Sequence, residues 1–341
     1  MSATSLTSAV KTAAHREGFA AAGVLPAEVS IDQSAFRSWL AAGHNADMAY
    51  LARNGDKRQR PGSLVDGARS IICLAVSYSP AAPALGDACV ARYARGRDYH
   101  KVLTQRCRGL IDALRRLDSG FAGRAFVDTA PIPERSLAAA AGLGWIGRNG
   151  CLIVPKLGSY VVLCEIICNL QLEPDGPCDQ DKACCDNCSL CVDACPTGAI
   201  ITNGVVDARL CRSYLTVEHR GPIDPALWAK MDSCLFGCDA CQSVCPYNRN
   251  LPAGDDELAQ PSAAGALTVA EVLTWSADDW DAATRGSTMR RATFDTFVRN
   301  AVLAAGNCGG EELIDVLTSL WTSRSDLAGE TAWALDRIRG R

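Results

Sequence analysis

The sequence predicts an α+β chain with a mixed sheet, followed by a cysteine-rich module and an all-helical tail. Three observations predict it. Up to about residue 171, stretches with apolar residues at helical spacing alternate with short apolar runs of strand length. From about 172 to 250 the chain carries most of its 18 cysteines, in two runs. After LPAGDDELAQPSAAGA at 251–266, a polar linker rich in Pro, Gly and Ala, only helical periodicity remains.

The first part divides as follows. Residues 3–17 place Leu6, Val10, Ala13 and Ala14 on one helical face. SIICLAVSY at 70–78 is a strand-length run bounded by Gly67 and Pro80. A basic turn leads into a helix within 92–117, and RAFVD at 124–128 is a short strand ending in a Thr-Ala-Pro turn. RSLAAAAGL at 135–143 is helical and stops at Gly142 and Gly144. CLIVPKLGSYVVLCEI, from 151, reads as two strands joined by a Pro/Gly turn. In the tail, Thr268 with Glu271 and Ser276 with Asp279 are helix-start pairs. Segments 296–307 and 327–338 are second helices of consecutive helical hairpins, offset by about 31 residues. Two such units are too few to stand alone and are expected to pack on the rest of the chain.

Composition excludes several classes. At 341 residues and 48% apolar content the chain can bury a real core, and a formal net charge of −4 does not mark a general nucleic-acid binder. The most apolar stretch, at 160–170, is too short to span a membrane and contains Glu165 and Asn169. The opening residues carry no apolar signal-peptide core, so the expected location is cytoplasmic. In such a chain many cysteines point to metal rather than disulfides.

Cys185, Cys188, Cys191 and Cys195-Pro196 have the spacing of a bacterial two-cluster [4Fe–4S] module, in which the fourth cysteine serves the neighbouring cluster. The second run, Cys238, Cys241 and Cys245-Pro246, has Leu235 where a leading cysteine is expected. Cys245 therefore completes the first set, while Cys195, Cys238 and Cys241 lack one ligand. Cys211 and Cys234 are the candidates, and Cys211, on the connecting segment, is preferred. A zinc ribbon also uses CxxC pairs, but it explains neither the tight triplet nor the two Cys-Pro endings. Cys178 and Cys184 have no place in this scheme. Cys73, Cys89, Cys107, Cys151, Cys164, Cys168 and Cys308 read as small apolar residues.

Other signals have plainer readings. GLGWIG at 142–147 matches GxGxxG but follows a helix and precedes strands, the reverse of a dinucleotide site. DYHKVL at 98–103 begins like a corrinoid-ligating signature but has leucine where glycine is needed. His15, His44 and His219 read as surface or packing residues. Arg53 and RGRDYHK at 95–101 read as solvated charges, and Asp128 in FVDTAP as a turn aspartate.

Several stretches taken together change those readings: MAYLARN, ARYARGRDYHKVL, FVDTAPIPER, AGLGWIGRN, CRSYLTVE and YNRN, set around the cysteine runs. In this combination the chain resembles the epoxyqueuosine reductase family, from about residue 5 to 340. The resemblance implies a nitroreductase-like cobalamin-binding core at 1–171, a bacterial ferredoxin-like two-cluster module at 172–250 and a HEAT-like helical-repeat, tRNA-contacting domain at 251–341. It implies the last step of queuosine biosynthesis, reduction of epoxyqueuosine at wobble position 34 of tRNA by cob(I)alamin fed with electrons through two [4Fe–4S] clusters. The implied ligand sets are Cys185, Cys188, Cys191 and Cys245, and Cys195, Cys211, Cys238 and Cys241. Asp128 matches the family's catalytic acid, its pKa expected to rise by burial against the corrin. Arg53, Asp128, Trp145 and Ser213 are the expected cobalamin contacts, and Arg290, Arg291 and Arg299 the expected phosphate contacts. The expected partners are tRNA and an electron donor, with a monomer as the default. The alternatives are another cobalamin and iron–sulfur reductase related to reductive dehalogenases, or a plain electron-transfer protein.

Overall fold

The computed structural model describes residues 2–79, 86–178, 185, 187–202, 204–260 and 267–340. Cys184 and residues 261–266 of the expected linker lie outside them.

The core sheet has the order β1 (Ala21–Pro26), β2 (Ser70–Ser77), β7 (Val161–Cys168), β4 (Gly123–Phe126), and every neighbouring pair is antiparallel. This corrects the expectation of a mixed sheet. The periodicity of an apolar run locates a strand but carries no direction, and a strand buried on both faces reads the same in either type. β2 and β7 are such strands. Val162, Cys164, Ile166 and Cys168 face the long helices Ala3–Arg16 and Tyr99–Leu117 through Val10, Leu103, Leu110 and Leu114. Leu163 and Ile167 face Leu137, Ala138 and Leu143, on and after the helix Glu134–Ala140. That helix ends at Gly142 with φ +78°, as its glycine predicted.

The small pairs are β5 (Trp145–Ile146) with β6 (Leu152–Ile153), β8 (Ile200–Thr202) with β9 (Val205–Val206), and a parallel pair of β3 (Cys89–Val90) with β10 (Cys234–Phe236). The last pair seats the tail: Val90, Ala94, Leu235 and Phe236 share one core with Val272, Phe297, Ala301 and Leu335. The tail therefore packs on the rest of the chain. Both expected capping boxes are present, Thr268 with Glu271 and Ser276 with Asp279. The helices Phe294–Cys308 and Ala328–Arg339 cover the periodic segments. Among the described residues no helix is long and apolar enough to cross a membrane.

Candidate functional site

The side chains with chemical potential fall into three sites. In the first, Cys185, Cys188, Cys191 and Cys245 line one cavity of about 340 Å³ together with Ile153 and Tyr247. Four thiols on one wall set fit a bulky inorganic cluster. A tight cysteine triplet completed by a distant Cys-Pro is the spacing of a cluster rather than of a zinc ribbon.

In the second, Cys195 Sγ accepts the backbone N–H of Ala199 at 3.2 Å. Burial alone raises this thiol, but the Thr197 hydroxyl and nearby backbone N–H groups outweigh it and hold its pKa below the usual thiol value. Cys211, at the start of the helix Arg212–Val217, is pushed up by burial and feels the charges of Cys238 and Cys195. Cys234 sits differently. It pairs in register with Cys89 across β3 and β10, and the buried Arg212 guanidinium donates to its sulfur at 3.2 Å. It also lies within hydrogen-bond reach of Cys238. Cys211 thus lies within electrostatic range of two of the expected ligands, whereas Cys234 is within hydrogen-bond reach of one, Cys238.

The third site is built around Asp128. Asp98 caps the helix Tyr99–Leu117, its Oδ1 accepting from the His100 backbone N–H at 3.0 Å and lying 2.8 Å from His100 Nδ1. The other ring nitrogen, Nε2, is 3.0 Å from Asp128 Oδ2. The Tyr99 ring stacks on the imidazole at 4.1 Å. Two carboxylates around one ring call for two N–H donors, which only the imidazolium has. Burial pulls the His100 pKa down, but the hydrogen bonds to Asp128 and Asp98 win and push it up to about 9. Asp128 stands just after β4 in the left-handed region, φ +56°, where a non-glycine residue is strained. Its backbone N–H donates to Glu134 Oε1 at 2.7 Å, which ties the strained residue to the first turn of the helix Glu134–Ala140. Burial, then the Asp128 charge, lifts the Glu134 pKa to about 7.

The expected rise of the Asp128 pKa is not met by the protein alone. Its side chain is 56% exposed, and the His100 hydrogen bond, outweighing desolvation, holds the carboxyl below its ordinary value. With the carboxylate ionised, the proton of this pair resides on His100. His100 and Glu134 are not among the residues expected from the sequence. Asp98-x-His100, an N-cap spacing inside RGRDYHK, is the sequence signal for the first of them.

The remaining expected residues lie on separate elements. Arg53 is exposed, just after the short turn Ala49–Ala52. Trp145 is buried with Cys245 and Ile153 beside the first cysteine site, and its indole N–H has no acceptor among the described residues. Ser213 is half-buried two positions after Cys211. Arg290 is paired with Asp281 at 2.6 Å and Arg291 with Glu218 at 2.6 Å.

Arg299 is a correction. It is 3% exposed and donates to the carbonyls of Leu215, Gly221 and His219 at 2.5, 2.6 and 3.1 Å. A helix face is hard to orient from sequence when arginine occupies its apolar side, and this one is a structural pin rather than a phosphate contact. Arg299→Met is expected to cost about 2–4 kcal/mol of stability, because it strands buried carbonyls. Denaturant titration measures this, and RNA affinity of the folded variant is expected to stay unchanged.

Comparisons with known proteins converge on one family. The family model described as "Epoxyqueuosine reductase QueG, DUF1730" matches residues 58–129, and "4Fe-4S double cluster binding domain" matches 184–248. The epoxyqueuosine reductase of Pseudomonas aeruginosa is 36% identical, over 97% of this chain and 94% of its own. That of Xanthomonas campestris is 37% identical, over 96% and 94%. The solved epoxyqueuosine reductase of Streptococcus thermophilus superposes with a TM-score of 0.85 at 28% identity, covering 97% of this chain and 90% of that one. A crystal structure of an epoxyqueuosine reductase with an epoxyqueuosine-modified tRNA-Tyr stem loop gives 0.83 at 28%, covering 98% and 90%.

Proposed function

The chain belongs to the epoxyqueuosine reductase family, and from that membership we infer its reaction and the roles of its residues. It is an oxidoreductase that reduces epoxyqueuosine in tRNA to queuosine, the last step of queuosine biosynthesis, at wobble position 34. The overall change takes two electrons and two protons. Both epoxide C–O bonds are lost, an alkene forms and the oxygen leaves as water.

The observation that carries the reading is the Asp98–His100–Asp128 array, in a chain where Cys185, Cys188, Cys191 and Cys245 line one cavity. Cys185, Cys188, Cys191 and Cys245 hold one [4Fe–4S] cluster, and Cys195, Cys211, Cys238 and Cys241 the other, fed by an external electron donor. Residues 1–171 form the cobalamin-binding part, a nitroreductase-like core, and residues 251–341, read as HEAT-like repeats, lie against the tRNA. Both nitrogens of His100 are engaged, by Asp98 and Asp128, so His100 belongs to the proton array and would not hold the cofactor. Arg53, Trp145, Ser213 and Asp128 would hold the cofactor. The unpartnered Trp145 N–H is free to meet an acceptor on a bound group. Bound cobalamin supplies low-potential nucleophilic chemistry at carbon.

The protein's own residues manage the proton. Asp98 fixes the His100 ring and the imidazolium stores a proton next to Asp128. Asp128, exposed on the open side, delivers it to the departing epoxide oxygen and is recharged by His100. Glu134 holds Asp128 in the strained conformation that aims it outward. Cover by cofactor and substrate lowers the dielectric and favours moving the proton onto the carboxylate.

This predicts a pH dependence set by the pair. The rate of a single turnover is expected to hold through neutral pH and to fall as pH rises through about 9. His100 is raised, so its contribution to stability is complete below its unfolded value of about 6.5 and is lost as pH rises through the folded value. His100→Gln is expected to move the fall in rate to lower pH. Rapid-quench turnover across pH, with cluster and cobalamin content checked at each point, measures it. A profile that His100→Gln leaves in place would remove the histidine from the mechanism.

A further inference from the structure

At the rim of the Asp128 site, the Tyr50 ring is 42% exposed, on the turn Ala49–Ala52. It pairs with no other aromatic ring among the described residues. Its neighbour is Arg291, from the tail turn Thr288–Arg291, with its guanidinium carbon 5.7 Å from the ring centroid. Arg291 is in turn held by Glu218, Nε to Oε1 at 2.6 Å and the second nitrogen to Oε2 at 3.0 Å. The first part of the chain, the cysteine module and the tail therefore each contribute one side chain here. The charge of Asp128 bears on Tyr50 and that of Arg291 on Asp128, which puts this group on the border of the reacting carboxylate.

An exposed tyrosine braced by a fixed guanidinium has a chemical use at such a place. A modified base that meets Asp128 must leave the stack of its strand, and its neighbours then lose a stacking partner. Single-stranded nucleic acid recovers that loss on aromatic faces, with little dependence on which base stacks. We propose that Tyr50, braced by Arg291 and Glu218, is a stacking platform for a nucleobase adjacent to the modified one in the anticodon loop. This rests on the tRNA reading given above. Arg291 then serves by orienting the ring and adding a cationic face, while its own charge stays neutralised by Glu218.

The platform acts on binding rather than on proton transfer. Loss of stacking on one base corresponds to about 5- to 100-fold in affinity. The test uses the full chain with clusters and cobalamin. Fluorescence anisotropy at fixed salt gives the Kd for an epoxyqueuosine-bearing anticodon stem loop, and absorbance gives cobalamin uptake. Tyr50→Ala and Tyr50→Leu are expected to weaken RNA binding by that factor, Tyr50→Phe to stay near wild type, and cobalamin uptake to be equal in all four proteins. The leucine variant keeps apolar bulk on the turn, so a fold defect confined to Tyr50→Ala is recognised. Equal RNA affinity in all four, or a loss of cobalamin uptake in place of RNA affinity, would overturn the platform. Failure of the wild-type protein to bind the stem loop would overturn the tRNA reading and the platform with it.

Discussion

Asp128→Asn is expected to lower the single-turnover rate on tRNA carrying epoxyqueuosine by about 10²- to 10⁴-fold, the range that a positioned general acid or base contributes. Asparagine is the informative replacement. It tolerates the left-handed backbone that φ +56° demands, and its side-chain oxygen can still accept from His100. What it lacks is an exchangeable carboxyl proton. The iron content and the stem-loop affinity should match wild type, and the rate is read at saturating cobalamin, so that the loss falls on chemistry. Glu134→Ala makes a useful companion. It removes the 2.7 Å tie to the Asp128 backbone and should lower the rate less than Asp128→Asn does, with Glu134→Gln, which keeps an acceptor oxygen, closer to wild type. A normal rate for Asp128→Asn would exclude the aspartate as proton donor.

Cys211→Ala is expected to abolish one of the two clusters, with about half of the iron and acid-labile sulfide remaining and multiple turnover lost. Cys234→Ala should keep both clusters. Its cost falls on stability, about 1–3 kcal/mol, because the buried Arg212 guanidinium loses its sulfur acceptor at 3.2 Å. The contrast follows from position. Cys211 lies within electrostatic range of both Cys195 and Cys238, whereas the Cys234 sulfur is already engaged by Cys238, Cys89 and the Arg212 guanidinium. Iron analysis and anaerobic EPR on the two reconstituted variants decide it. The reverse pattern, with Cys234→Ala losing the cluster, would reassign the fourth ligand.

Much of this was legible in the sequence, and for physical reasons. The long helices Ala3–Arg16 and Tyr99–Leu117 declare themselves by apolar periodicity, and Thr268 and Ser276 by local capping chemistry that needs no tertiary context. Cysteine spacing encodes the reach of a loop around a cluster, which is why Cys185, Cys188 and Cys191 were read together with the distant Cys245. Strand direction was not legible, because β2 and β7 are buried on both faces and their apolar runs are equally at home in parallel and antiparallel sheets. Arg299 looked like a surface charge because sequence does not reveal three carbonyls waiting in a core. Glu165, on the central strand with both oxygens buried and unpartnered and its pKa pushed well up by burial, breaks the apolar pattern in the same unreadable way. The proton array was half legible. Asp98 and His100 are neighbours in sequence, but the separation of 28 positions from His100 to Asp128 is closed only by the packing of the long helix against the sheet.

The fate of the epoxide oxygen decides whether the assigned reaction is right. The decisive measurement is anaerobic turnover by the cluster-loaded, cobalamin-loaded protein on epoxyqueuosine-bearing tRNA, with the digested nucleosides weighed by mass spectrometry. The account predicts a modified nucleoside lighter by one oxygen, formed only with reductant and cobalamin present and greatly slowed in Asp128→Asn. An unchanged nucleoside, from protein shown to hold both clusters and cobalamin and to bind the tRNA, would contradict it.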